Sequence, residues 1–174
     1  MRQYLPEEID PFRFAHNGRE LNGEVDLAEM TRLAESLRNT DGKVKIWMRF
    51  DIDDTGTPFM EGRFETTLSL TCERCLQAMT LPMDIHSLLG LVRHEKLAEK
   101  LSDQYEPWVV EDSELTDPVS VVEDELILAL PLVPKHEENC LPETALFSGD
   151  EESEEEAVKP NSPFSVLSSL KTKK

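Results

Sequence analysis

Lys43-Val44-Lys45-Ile46-Trp47-Met48-Arg49-Phe50-Asp51-Ile52 alternates in hydropathy from end to end. A β-strand turns successive side chains to opposite faces, so this spacing predicts a strand with one buried and one wet face. Val44, Ile46, Met48, Phe50 and Ile52 take the buried face, and Lys43, Lys45, Trp47, Arg49 and Asp51 the wet one. Asp53-Asp54-Thr55-Gly56 reads as a turn. Phe59 to Cys72 then alternates again, with Met60, Phe64, Leu68 and Leu70 together. A third run places Met79, Leu81, Met83 and Ile85 on one side and continues to Val92. Three strands with short connections predict an antiparallel meander with one solvated face.

Upstream, Leu27, Met30, Leu33, Ala34 and Leu37 recur at helical spacing, with Asp26 as N-cap and Glu29 in the reciprocal place of a capping box. A helix ending near Asn39 and Gly42 is expected. Arg19 to Val25 reads as a short strand. Residues 1–18, broken by Pro6 and Pro11, read as extended, with Phe12 and Phe14 on one face. Downstream, Arg93 to Gln104 is charged and reads as a short helix or loop. Tyr105 to Val110 reads as an edge strand because Pro107 lacks an N–H. Asp117-Pro118 opens a second helix as N-cap and first helical residue, with Val119, Val122, Leu126, Ile127 and Leu130 as its stripe and Glu123-Asp124-Glu125 toward solvent. The expected fold is therefore α+β: an antiparallel meander or partly closed sheet packed by two helices.

The chain has 174 residues and a net charge of −18. That length suits one domain with a modest core. The charge is uneven: 27 acids and 14 bases in residues 1–136, nine acids and no base in 137–158, four lysines and no acid in 159–174. An acidic chain of this kind does not attract nucleic acid at long range; it suits a solvated protein or one with a basic partner. Three units are expected: an α+β core over 1–142, an acidic disordered linker over 143–162, and a basic amphipathic tail over 163–174. In that tail Phe164, Leu167 and Leu170 recur every third residue as candidate docking contacts on a short C-terminal helix. No apolar run is long enough to span a membrane. The first ten residues carry acids and no apolar stretch, and the cysteines are odd in number, so a reducing cytoplasm is expected.

Cys72-Glu73-Arg74-Cys75 closes the second strand, and His136 and Cys140 follow the second helix after Pro131 and Pro134. Two cysteines across a strand turn form half of a tetrahedral zinc site, and His136 with Cys140 are candidates for the other half. Such a site would staple the meander to the end of the helix. Three readings stand at this point: structural Zn²⁺, thiols in ordinary packing, and a redox pair using Cys72 and Cys75. A redox pair usually sits where a helix N-terminus activates the thiol, and here strands flank it. No phosphate loop or nucleophile elbow occurs, and no small-molecule substrate or enzyme activity is indicated. On the wet face of the first long strand, Lys43, Lys45, Trp47 and Arg49 combine charge with an aromatic ring, a candidate RNA contact.

The turn Cys72-Glu73-Arg74-Cys75-Leu76, the run Val122 to Pro131 with His136 and Cys140 behind it, and the tail Pro163-Phe164-Ser165-Val166-Leu167-Ser168-Ser169-Leu170-Lys171 together resemble the bacterial YceD family. Asp10-Pro11 and Gly23 fit as well, and the likeness spans nearly the whole chain. Ser162, between Asn161 and Pro163, departs from it. The resemblance implies a cytoplasmic, non-enzymatic role in synthesis, processing or stability of 23S ribosomal RNA. Two routes suit that role: binding of a basic ribosomal or assembly protein, and direct contact with 23S ribosomal RNA. The rival from another class is a thiol redox protein.

Overall fold

The structure is a computed structural model that describes residues 5–111 and 115–141. The expected acidic linker and tail, with Phe164, Leu167 and Leu170, lie outside the described residues. Among the described residues the fold is α+β, built on a five-stranded mixed sheet in the order β1-β2-β3-β4-β5. The strands are β1 (Glu20–Asp26), β2 (Lys43–Ile52), β3 (Pro58–Thr71), β4 (Ala78–Val92) and β5 (Glu106–Val109). The chain divides after Cys140 into two units, and every element described here belongs to the first.

Strands β2, β3 and β4 form the expected antiparallel meander, and β1 extends it by pairing antiparallel to β2. Its two inner turns are tight, which antiparallel pairing permits. The turn after β2 is tied by Asp53, whose Oδ1 accepts from the Thr55 and Thr57 amides at 2.9 and 2.8 Å. Tyr105 donates to its Oδ2 at 2.9 Å. The fifth strand departs from a pure meander: β5 runs parallel to β4. A parallel return needs a crossover of a dozen or more residues, and residues 93–105, with helix α3 (Glu95–Ala98), supply it. Pro107 does sit on an edge strand.

One face of the sheet is buried. Val44, Ile46, Met48 and Phe50 from β2 meet Met60, Phe64 and Leu68 from β3, each at most 3% exposed. Gly62 faces Met48 across the strands, and a Cβ there would lie 2.5 Å from the Phe64 ring, so the ring occupies the space a side chain would take. The core is closed by helix α1 (Pro11–His16), a 3₁₀ turn at Leu27–Glu29, helix α2 (Thr31–Ala34) and helix α4 (Pro118–Leu128).

Three local expectations change. Residues 11–16 are helical, not extended: Asp10 caps the Arg13 amide at 2.9 Å and Pro11 opens the first turn. Phe14 then stacks edge-on against Phe50 at 5.5 Å. The expected helix over 26–39 is broken at Met30 into the 3₁₀ turn and α2, and Asp26 makes no side-chain cap. Asp26 is held in β1 instead, opposite Lys43, while the Leu27 amide is spent on Gly42. The apolar spacing still served burial, because Leu27, Met30 and Leu33 are fully buried. Glu123, expected toward solvent, is buried at 6%. Its Oε1 accepts from the Arg32 and Leu33 amides at 2.7 and 3.0 Å, and its Oε2 from Arg32 Nε at 2.9 Å. The cap of α2 is thus a side chain from α4, because Met30 has no acceptor to offer.

Candidate metal centre

The long strands β3 and β4 are joined by a knuckle. The Leu76 amide donates to the Cys72 carbonyl at 2.8 Å, and the Cys72 amide to the Gln77 carbonyl at 2.9 Å. This closure turns both cysteine sulfurs to one side. Downstream, Pro131 follows the end of α4, and the chain returns along the knuckle. The Glu73 amide donates to the Pro134 carbonyl at 2.8 Å, which brings residues 136–140 over the two sulfurs.

Cys72, Cys75, His136 and Cys140 converge there, with ligand atoms all within 4.8 Å of one another. Cys72 Sγ lies 3.8 Å from Cys140 Sγ, and Cys75 Sγ lies 3.5 Å from His136 Nδ1. A tetrahedral zinc with bonds of about 2.3 Å to sulfur and about 2.05 Å to nitrogen requires edges of roughly 3.8 Å between sulfurs and roughly 3.5 Å between sulfur and nitrogen. Both edges match. His136 Nε2 faces the Ala78 carbonyl at 3.2 Å. A proton on Nε2 leaves Nδ1 bare toward the sulfurs, the orientation that a ligating histidine needs. The donor set therefore fits Zn²⁺.

Arg74 ties the two halves together. Its Nε donates to Cys140 Sγ at 3.0 Å, and its Nη2 to the His136 carbonyl at 3.0 Å and to the Glu138 carbonyl. Three thiolates and a neutral histidine around a divalent ion would carry one net negative charge, and this guanidinium would balance it. Burial opposes ionisation of Cys72, yet the Cys75, His136 and Arg74 backbone groups bonded to its sulfur hold the thiol at about 5. Burial likewise opposes ionisation of Cys140, and Arg74 and His136 overcome it, lowering that thiol. The Gln77 backbone pulls Cys75 down, but burial and the neighbouring thiols push it above its ordinary value. Cys140 and then Cys72 raise the His136 imidazole. Leu70, Cys72 and Met79 form a small apolar cluster beneath the site, packed by Leu37, Leu81 and Leu130.

Lys43, Lys45, Trp47 and Arg49 stand apart from this centre, on the wet face of β2. Lys43 pairs with Asp26 at 3.1 Å and Arg49 with Glu61 at 3.1 Å. In register, Lys45 lies between Glu24 and Glu65, and Trp47 between Asn22 and Arg63. Arg63 in turn pairs with Asp84 at 2.7 Å. Across β1–β4 this face sets Glu20, Glu24, Asp26, Asp51, Glu61, Glu65 and Asp84 against only those four cations, Lys43, Lys45, Arg49 and Arg63. The basic strand is legible in its own residues, whereas its acidic neighbours come from β1, β3 and β4 and are brought beside it only by the register. The bonds of Arg74 to residues 136–140 follow from a fold that no local spacing announces.

A family model described as large ribosomal RNA subunit accumulation protein YceD matches residues 60–171 of the chain. A curated protein from Haemophilus influenzae, named Large ribosomal RNA subunit accumulation protein YceD, is 33% identical over 175 residues, which covers 97% of each chain. No solved structure matches. No helix among the described residues is long and apolar enough to cross a membrane.

Proposed function

The chain belongs to the YceD family, and from that membership we propose that it supports accumulation of 23S ribosomal RNA in the cytoplasm by binding a basic ribosomal or assembly protein rather than by catalysis. The observation that carries this reading is the end-to-end likeness to a protein named for large ribosomal RNA subunit accumulation. A net charge of −18 supports a basic protein partner over long-range attraction to phosphate. The carboxylates interleaved with Lys43, Lys45 and Arg49 support the same choice, because paired cations release few counterions from RNA.

In this reading Zn²⁺ is structural, held by Cys72, Cys75, His136 and Cys140, and it fixes the knuckle to the exit of α4. The alternative, a thiol redox protein using Cys72 and Cys75, is not favoured: strands flank the pair, and residues 136–140 lie over both sulfurs. The residues 143–162 serve as an acidic linker, and Phe164, Leu167 and Leu170 as contacts of the tail that follows.

The test is a deletion strain complemented with the wild-type gene. Loss of the protein lowers 23S relative to 16S ribosomal RNA and depletes large subunits in a sucrose gradient. Normal 23S levels and a normal gradient in the deletion strain would refute the reading.

A further inference from the structure

Leu76 occupies a backbone conformation that a leucine disfavours. Its φ is +60°, the only positive φ on a non-glycine residue among those described, and its side chain is 66% exposed. Glycine or asparagine would relieve that backbone, and an exposed leucine contributes little to the core. Folding alone therefore gives no reason for a leucine there.

Leu76 has apolar company on the segment bonded to its knuckle. Leu128 at the end of α4 is 76% exposed, and Leu132 and Val133, just before Pro134, are 101% and 59% exposed. The described residues include only seven exposed large apolar side chains, and four of them lie on these two segments. The bond from the Glu73 amide to the Pro134 carbonyl laces the segments together, as do the Arg74 contacts to residues 136–140. Around them Glu73, Glu137 and Glu138 are exposed. Arg74 is spent inside the centre, which leaves Lys135 as the exposed cation of these segments.

We propose that Leu76, Leu128, Leu132 and Val133 form the docking surface for a basic, aliphatic-bearing segment of a partner protein, with Glu73, Glu137 and Glu138 as its charged rim. The apolar anchors exclude water, and the carboxylates select lysine and arginine in the partner. The metal centre gives this surface its rigidity, because it holds the two segments in one place. The inference rests on the binding role proposed above and assigns it a place on the molecule.

The experiment uses the full chain in growing cells, with a photoactivatable phenylalanine analogue in place of Leu132 and, as control, in place of the exposed Leu97. Crosslinked peptides are identified by mass spectrometry. The expected result is a crosslink from position 132, and not from 97, to a lysine- or arginine-rich segment of another protein. Adding Leu76→Asn should lower its yield by about tenfold, as loss of a central apolar anchor does. A crosslink to RNA, to a second copy of this chain or to its own C-terminal segment would overturn the proposal, as would no crosslink above the control. In parallel, Leu76→Asn/Leu132→Ser is tested for complementation, with a thermal melt to show that it is folded. If wild type restores 23S ribosomal RNA and the folded double variant restores it equally, the surface is wrong and the role stands. If the deletion strain never lost 23S ribosomal RNA, it is the role that fails.

Discussion

Two single residues decide local geometry in opposite ways. Asp53 works by its charge. Thr55 Oγ1 donates to its Oδ1 at 2.7 Å, as do the Thr55 and Thr57 amides, and its carboxyl is lowered to about 2. The Thr55 hydroxyl is the first cause, followed by the Thr57 amide. Since the folded value lies below the ordinary 3.8, the ionised form contributes stability above about pH 4 that disappears as pH falls toward 2. Urea midpoints of the wild type should fall over that window, and those of Asp53→Asn should fall less. An equal decline in both would remove Asp53 from the explanation. Leu76 works against its own backbone. Leu76→Gly and Leu76→Asn should each raise the urea midpoint by the equivalent of about 0.5–1 kcal/mol, and Leu76→Val should lower it, because a β-branched residue suits a left-handed backbone still less.

The tie between α2 and α4 belongs to the scale of elements. Glu123 caps α2 from 91 residues downstream and pairs with Arg32, so one buried carboxylate joins two helices over the sheet. Glu123→Ala leaves the Arg32 and Leu33 amides without acceptors and should cost about 3 kcal/mol. Arg32→Ala removes a half-exposed partner but leaves both amides satisfied, and should cost clearly less. Chemical denaturation of the two variants checks the order; equal losses would mean that the ion pair, and not the cap, carries the tie. The same elements mark how far periodicity reaches. Strands β2, β3 and β4 were legible because alternation is a property of each strand alone. The capping box at Asp26 misled because its competitors, Gly42 and Glu123, are remote in sequence. Asp10-Pro11 carried the same start signal as Asp117-Pro118, yet Phe12 and Phe14 read equally well as one face of a strand. The parallel turn of β5 was invisible, since pairing direction depends on the crossover and not on the strand's own residues.

On the whole molecule, the cysteine knuckle and the end of α4 meet at Cys72, Cys75, His136 and Cys140, at the Arg74 and Glu73 bonds, and where Leu130 packs on Leu70, Cys72 and Met79. The pair spacing suggested the set, and its closure depended on β3 and β4 being long enough to carry the knuckle out to the helix exit. An ion that binds only the folded arrangement stabilises by mass action, about 3–4 kcal/mol at a few hundred to a thousand times its dissociation constant. Chain purified without chelator should therefore hold close to one zinc, and stripping it should lower the thermal midpoint by roughly 5–10 °C. Cys140→Ser removes one of the four candidate ligands and should both abolish zinc binding and melt near the stripped wild type, with no further change on adding chelator. A fully folded wild type without zinc, whose midpoint neither zinc nor chelator moves, would reduce the cluster to packed thiols. Hydrogen exchange locates the effect. Protection lost on stripping should concentrate in residues 70–80 and 128–140, while β2 and the Glu123-capped α2 keep theirs, because their bonds do not pass through the centre.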